Sequence, residues 1–74
     1  MNGELLNTFI KKVPGATIEK VFDLGSELLI KINVQSDPYY FINKETKKVT
    51  GANFYKDMKK IEEAYTKGKE ISIK

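Results

Sequence analysis

A chain of 74 residues without a single cysteine has to hold its fold by burying apolar side chains, because neither disulfides nor thiolate-bound zinc can staple it. A chain this short buries only about 60% of the surface that its unfolded form exposes. It therefore has room for one domain, residues 1–74, with one modest core. The apolar fraction of 41% suffices for that core, and so small a core also gains much from self-association. The missing cysteines fit a reducing compartment. Residues 1–10 do not read as a signal peptide, since Glu4, Asn7 and Thr8 interrupt the apolar run and no basic stretch precedes it. The expected location is cytoplasmic. No apolar stretch approaches the ~20 residues of a membrane helix, so no membrane partner is expected.

Histidine, arginine and tryptophan are absent as well, and all thirteen basic residues are lysines. The usual physiological-pH acid/base, thiolate nucleophile, soft metal ligands and bidentate phosphate clamp are thereby removed. Glu62 and Glu63 are adjacent on an expected helix and diverge, whereas paired-carboxylate catalysis needs two carboxyls facing one cleft. No D-x-D-x-D-G loop offers a cation cradle, and Ser26, Ser36 and Ser72 have no histidine to activate them. Gly15, Gly25, Gly51 and Gly68 stand singly at element ends, unlike a phosphate-binding loop. The expectation is a protein that is not an enzyme, with no catalytic residues, no metal site and no cofactor.

Periodicity divides the chain into elements. Leu5, Leu6, Phe9, Ile10 and Val13 fall at helical spacing, with Asn2 as candidate N-cap, Glu4 in the first turn and Pro14-Gly15 as the stop. From Ala16 to Leu24 the pattern becomes period two: Ile18, Phe22 and Leu24 alternate with Glu19 and Asp23, and Val21 falls on the polar side. Gly25-Ser26 turns the chain into a second strand, Glu27 to Gln35, with Leu28, Ile30, Ile32 and Val34 on one face. After the turn signal Ser36-Asp37-Pro38 comes a third strand, Tyr39-Tyr40-Phe41-Ile42-Asn43. Val49-Thr50 reads as a brief fourth strand before Gly51. Phe54, Met58, Ile61 and Tyr65, spaced four, three and four apart, predict a second helix capped by Asn53 and closed at Gly68. Ile71 and Ile73 alternate in a tail that reads as an edge strand or a frayed end.

Strands grouped between helices, without βαβ alternation, predict an α+β fold: a small antiparallel sheet of three to five strands flanked by an N-terminal and a C-terminal helix, both on one face. The expected core is Leu5, Phe9, Ile10, Ile18, Phe22, Leu28, Ile30, Ile32, Phe54, Met58, Ile61 and Tyr65.

Charge is uneven along the chain. The net +3 comprises four lysines against five acids in residues 1–43, and nine lysines against five acids in residues 44–74. Lysine as the sole cation, with many Asn, Ile, Tyr and Phe, is also what an AT-biased coding sequence produces. Tyr39, Tyr40 and Phe41 followed by Lys44, Lys47 and Lys48 form the candidate partner-binding surface, because aromatic side chains on a sheet beside lysines resemble a stacking platform. The competing reading packs alternate members of the aromatic run under a helix. Glu63 lies four residues from both Lys59 and Lys67, predicting a salt-bridged, solvated helix face. Exposed strand edges near Ile71 and Ile73 offer a route to a homodimer.

Leu5-Leu6, the run Lys11-Lys12-Val13-Pro14-Gly15-Ala16-Thr17-Ile18, and Tyr39-Tyr40-Phe41-Ile42-Asn43-Lys44-Glu45-Thr46-Lys47-Lys48-Val49 together resemble the PepSY-type domain pattern. There a helix ends in a P-G-A-x-(hydrophobic) turn and a later strand enters a D-x-x-T-G-K-V hairpin. The resemblance covers residues 5–50, with Asn43 at the aspartate position, Lys47 at the glycine position and an additional helix after the sheet. Members of that family are typically exported and act by binding or inhibiting other proteins, so the resemblance implies a non-catalytic sheet that engages a partner. The element order also suits small proteins of AT-rich bacteria and their phages. The leading expectation is a protein-interaction module whose partner is another protein or a second copy. The alternative is a weak nucleic-acid binder acting through Lys44, Lys47, Lys48, Lys56, Lys59 and Lys60.

Overall fold

The computed structural model describes residues 2–35, 38–52 and 55–71, the side chain of Asn2 excepted. Helix α1 (Asn2–Lys12) is followed by strands β1 (Ile18–Asp23), β2 (Glu27–Ile32), β3 (Tyr39–Asn43) and β4 (Val49–Gly51), helix α2 (Met58–Thr66) and a short β5 (Lys69–Glu70). The five strands make one sheet in the order β4-β3-β2-β1-β5, with every neighbouring pair antiparallel. The α+β architecture is the one the pattern predicts, and the described part of the tail forms an edge strand: Ile71 N–H donates to Val21 C=O at 2.8 Å, continuing the ladder beyond β5.

The helices lie on opposite faces of the sheet, not on one. Val21, Leu28, Ile30, Ile32 and Ile42 pack with Leu5 and Phe9 of α1. Phe22, Leu29, Phe41 and Ala52 pack with Ile61 and Ala64 of α2. Side chains alternate across a strand, so the consecutive buried residues Val21-Phe22, Leu28-Leu29-Ile30 and Phe41-Ile42 supply both cores. Register ties them together: Phe22 stands opposite Leu29 and Leu29 opposite Phe41 on the α2 face, while Val21, Ile30 and Tyr40 line up on the α1 face.

Three expected core residues are exposed instead: Ile10 at 44%, Met58 at 38% and Tyr65 at 47%. Ile18 is half-buried against the α1 core. Phe54 and the candidate cap Asn53 lie outside the described residues, as do the Ser36-Asp37 turn, Ile73 and the Asn2 side chain. The reason for the Met58 and Tyr65 exposure is the facing of α2. The helix turns Ala64 and Ile61 toward the sheet, a small residue beside a large one, which lets its backbone approach closely. It also begins four residues later than the pattern suggests. Strand pairing persists through Ala52, whose N–H donates to Tyr39 C=O at 2.9 Å, and the chain must then cross from the β4 edge to β1, over which α2 packs. At the end of the helix Glu63 C=O accepts the N–H groups of Lys67 and Gly68. A Cβ on Gly68 would sit 2.5 Å from the Ala64 carbonyl oxygen, so glycine is required there for close approach.

Candidate functional site

The β3–β4 connection is a turn organised around the Asn43 side chain. Asn43 Oδ1 accepts the N–H groups of Glu45 (2.8 Å) and Thr46 (2.9 Å), the local bonding that makes Asn and Asp turn formers. Lys47 N–H donates to Asn43 C=O, and Asn43 N–H donates to Lys48 C=O. Closing the turn this way holds Lys47 at φ +60°, a left-handed conformation that residues with a Cβ adopt at a cost. Asn43 and Lys47 are the positions where the PepSY-type pattern carries its aspartate and glycine.

The β1–β2 turn abuts this one. Gly25 takes φ +95°, and Asp23 Oδ1 accepts both the Gly25 N–H (2.8 Å) and the Lys44 ammonium (2.7 Å). Lys44 N–H adds a bond to Ser26 C=O. The Lys44 hydrogen bond, followed by that of Gly25, holds the Asp23 carboxyl below its ordinary range. Lys44 is thus a staple between two turns.

The aromatic run is divided between the faces. Tyr40 lies against Phe9 of α1 with ring centroids 5.4 Å apart. Phe41 is buried in the α2 core. Tyr39 is half-buried, its hydroxyl 2.9 Å from that of Tyr65, whose ring packs on Phe22. Burial of the Tyr65 ring and then its bond to Tyr39 raise the Tyr65 pKa above the ordinary tyrosine value. The three aromatics therefore form no shared platform: Tyr40 faces the α1 core, and Tyr39 and Phe41 face the α2 core.

The lysines are divided as well. Lys47 pairs with Glu4 at the start of α1, and its ammonium holds the exposed Glu4 carboxyl below its usual range. Lys60 Nζ lies 3.1 Å from Glu27 Oε1 and 5.1 Å from the centroid of the Phe41 ring. It is this bond between α2 and the sheet, rather than the expected Lys59–Glu63–Lys67 series, that ties the helix surface down.

Beside Lys60 an open cleft of about 300 Å³ lies on the α2 face of the hairpin. Phe41 and Asn43 of β3, Lys48 and Thr50 along β4, and Asp57 and Lys60 at the start of α2 line it. No acidic residue stands in the first turn of α2, where Lys59 and Lys60 do. The cleft runs along an outer strand of the sheet, for among the described residues β4 is bonded to β3 on one side only. The bonds Asn43 N–H to Lys48 C=O and Ala52 N–H to Tyr39 C=O set the phase of this ladder. Lys48, Thr50 and Ala52 turn their backbone groups to β3, so those of Val49 and Gly51 point away from the sheet.

Of the candidate residues, the structure gathers Phe41 and Lys48 at the cleft and uses Tyr40, Lys44 and Lys47 to hold the fold. Sequence reasoning missed Thr50, Gly51 and Asp57 as cleft residues. The β-branched pair Val49-Thr50 between two breakers is the signal for an edge strand, but its neighbours are set by topology. Among the described residues, no group of three or more His, Cys, Asp or Glu side chains is placed to hold a metal ion, and no helix is long and apolar enough to cross a membrane. Compared with protein-family models, with curated proteins and with solved structures, the chain finds no match.

Proposed function

We propose that the protein is a non-catalytic interaction module that binds an extended segment of another protein by strand addition to β4. The observation that carries this reading is the pairing of an outward-facing edge with a cleft: the backbone groups of Val49 and Gly51 point away from the sheet, and the cleft lined in part by Phe41 lies alongside. Strand addition draws affinity from main-chain hydrogen bonds and specificity from pockets for alternate side chains, and this edge offers both. The PepSY-type resemblance supports the same class of activity, a sheet that engages a protein partner. A chain without histidine or cysteine supports the non-catalytic part of the reading, and the absence of cysteine supports a cytoplasmic setting.

The alternative, lysine-mediated nucleic-acid binding, draws less support. Three of its six lysines, Lys44, Lys47 and Lys60, are engaged with Asp23, Glu4 and Glu27, and each would have to leave a carboxylate to meet a phosphate.

The test is capture from the native cell with the tagged full chain and its Gly51→Pro variant side by side, each with and without nuclease treatment. Proline at Gly51 removes an outward N–H while leaving the bonds to β3 in place, a position where edge strands tolerate it. A protein captured by the parent chain and lost with Gly51→Pro is the expected result, with circular dichroism checking that both chains are folded. Recovery of nuclease-sensitive material alone, indifferent to Gly51→Pro, would assign the function to the lysines.

A further inference from the structure

We propose that Tyr39 and Tyr65 form an oxidative cross-linking site, at which a one-electron oxidant joins the two rings into an intrachain dityrosine and staples α2 to β3. Their hydroxyl oxygens lie 2.9 Å apart, and the rings meet edge to face with centroids 6.4 Å apart. Dityrosine joins two phenols through the carbons next to their hydroxyls, which leaves those hydroxyls within hydrogen-bond reach of each other. The folded chain therefore already holds the pair in the relation that the product keeps. Coupled rings sit closer than these do, and Tyr65, 47% exposed on α2, is the one with room to turn toward its partner. Tyr40 lies on the other face of the sheet, against Phe9.

Composition directs the oxidation to tyrosine. Cysteine, tryptophan and histidine are absent, and with them the side chains that compete most readily with a phenol for a one-electron oxidant. Phe22, on which the Tyr65 ring packs, has no hydroxyl and is inert to the same oxidants. Burial and then the Tyr39 bond raise the Tyr65 pKa and keep the phenol protonated. It therefore gives up a proton along with its electron, and the Glu19 and Glu70 carboxylates, whose charges reach this phenol, supply nearby bases. Each phenol loses one electron to the oxidant and one proton, giving two phenoxyl radicals. A carbon–carbon bond forms between the two carbons ortho to the oxygens, and the hydrogen on each of those carbons moves to oxygen, restoring both hydroxyls. The balance is two electrons to two equivalents of oxidant, two protons to carboxylate or water, and a chain lighter by two hydrogens. The new bond spans residues 26 apart in sequence and restricts the unfolded state of a chain that has no disulfide to do so.

In the experiment, dilute full chain is illuminated with ruthenium(II) tris-bipyridyl and persulfate, which generate ruthenium(III) as the one-electron oxidant. Dityrosine fluorescence, denaturing electrophoresis and intact mass are the readouts. The expected product is a monomer lighter by two hydrogens whose proteolytic map joins the Tyr39 peptide to the Tyr65 peptide. Unfolding the chain in urea before illumination should lower that yield about tenfold or more, since the fold holds the rings together. Tyr39→Phe and Tyr65→Phe should each lose the product, and Tyr40→Phe and Tyr55→Phe should keep it. The cross-linked chain should melt at least about 10 °C higher than the parent. Fluorescence confined to covalent dimers, a map that joins other tyrosines, no dityrosine at all, or an equal yield in urea would overturn the assignment. An unchanged melting temperature would overturn the staple. The map of the parent chain decides the site even where a variant is poorly folded.

Discussion

Replacing Lys47 by glycine should stabilise the protein, although it deletes a side chain that makes an ion pair. Lys47 sits at φ +60°, and the left-handed region costs a residue with a Cβ roughly 1–2 kcal/mol. Glycine is free of that cost but loses more chain entropy on folding, roughly 0.5–1 kcal/mol. The difference favours glycine by ~0.5–1 kcal/mol. Against it stands the pair with Glu4, whose side chains are 43% and 63% exposed and which, being solvated at both ends, contributes little. A domain of this size gains roughly 4–8 °C in melting temperature per kcal/mol, so Lys47→Gly should melt ~2–8 °C higher and show a raised urea midpoint at unchanged slope. Glu4→Gln isolates the ion pair and should move the midpoint far less. Lys47→Val, β-branched and still less tolerant of positive φ, should fall below the parent. The reasoning is refuted if glycine is no more stable than lysine while Glu4→Gln is neutral, since the backbone would then impose no strain at this turn.

Two further perturbations test the frame around the edge. Gly68→Ala would place a Cβ 2.5 Å from the Ala64 carbonyl oxygen and 2.8 Å from its Cα, backbone atoms that cannot swing aside; overpacking of this kind costs roughly 1–3 kcal/mol, to be read as a lowered urea midpoint. The Asp23 carboxyl is held below its ordinary range by Lys44 and the Gly25 N–H, so its folded pKa lies below its unfolded one. Its contribution is then fully present above the unfolded value, about 3.9, and is lost as pH falls through the folded value. Urea midpoints measured across that window should fall more steeply in the parent chain than in Asp23→Asn; parallel curves would show that the staple carries no pH-dependent stability.

How much was legible in the sequence depended on whether the physics was local. The Asn43-to-Lys48 turn could be read because Asx bonding and left-handed backbone are properties of a few adjacent residues. Strand β2 could be read from its alternation, yet Leu29 was overlooked beside Leu28 and Ile30. The doublets Val21-Phe22 and Phe41-Ile42 carry the same message. Contiguous apolar residues in a strand mean that both faces are covered, and attention to period two alone places the helices on one side. For α2, the 4-3-4 stripe from Phe54 to Tyr65 pointed to the larger side chains, whereas Ala64, small enough to admit the backbone, sets the contact. The cleft was the least legible part, because no local pattern states which strand ends at the rim of the sheet.

That rim follows from dimensions. A helix is ~10 Å across with its side chains, and strands lie ~4.8 Å apart, so one helix covers about two strands. Helix α2 packs over β1, because β5 follows it directly and must pair with β1. Among the described residues no third helix lies over β3 and β4 on that face. Phe41 is covered there by the α2 core on one side and by Lys60, whose ammonium lies over its ring and pairs with Glu27, on the other. Lysine can do this because its methylene chain covers apolar surface while the ammonium stays wet. The consequence is a cleft in which Phe41 meets a charged wall of Glu27, Asp57, Lys48 and Lys60. A strand laid along β4 would border this wall with the Lys60–Glu27 pair still closed over Phe41, so binding there need not disturb the core that holds the sheet together.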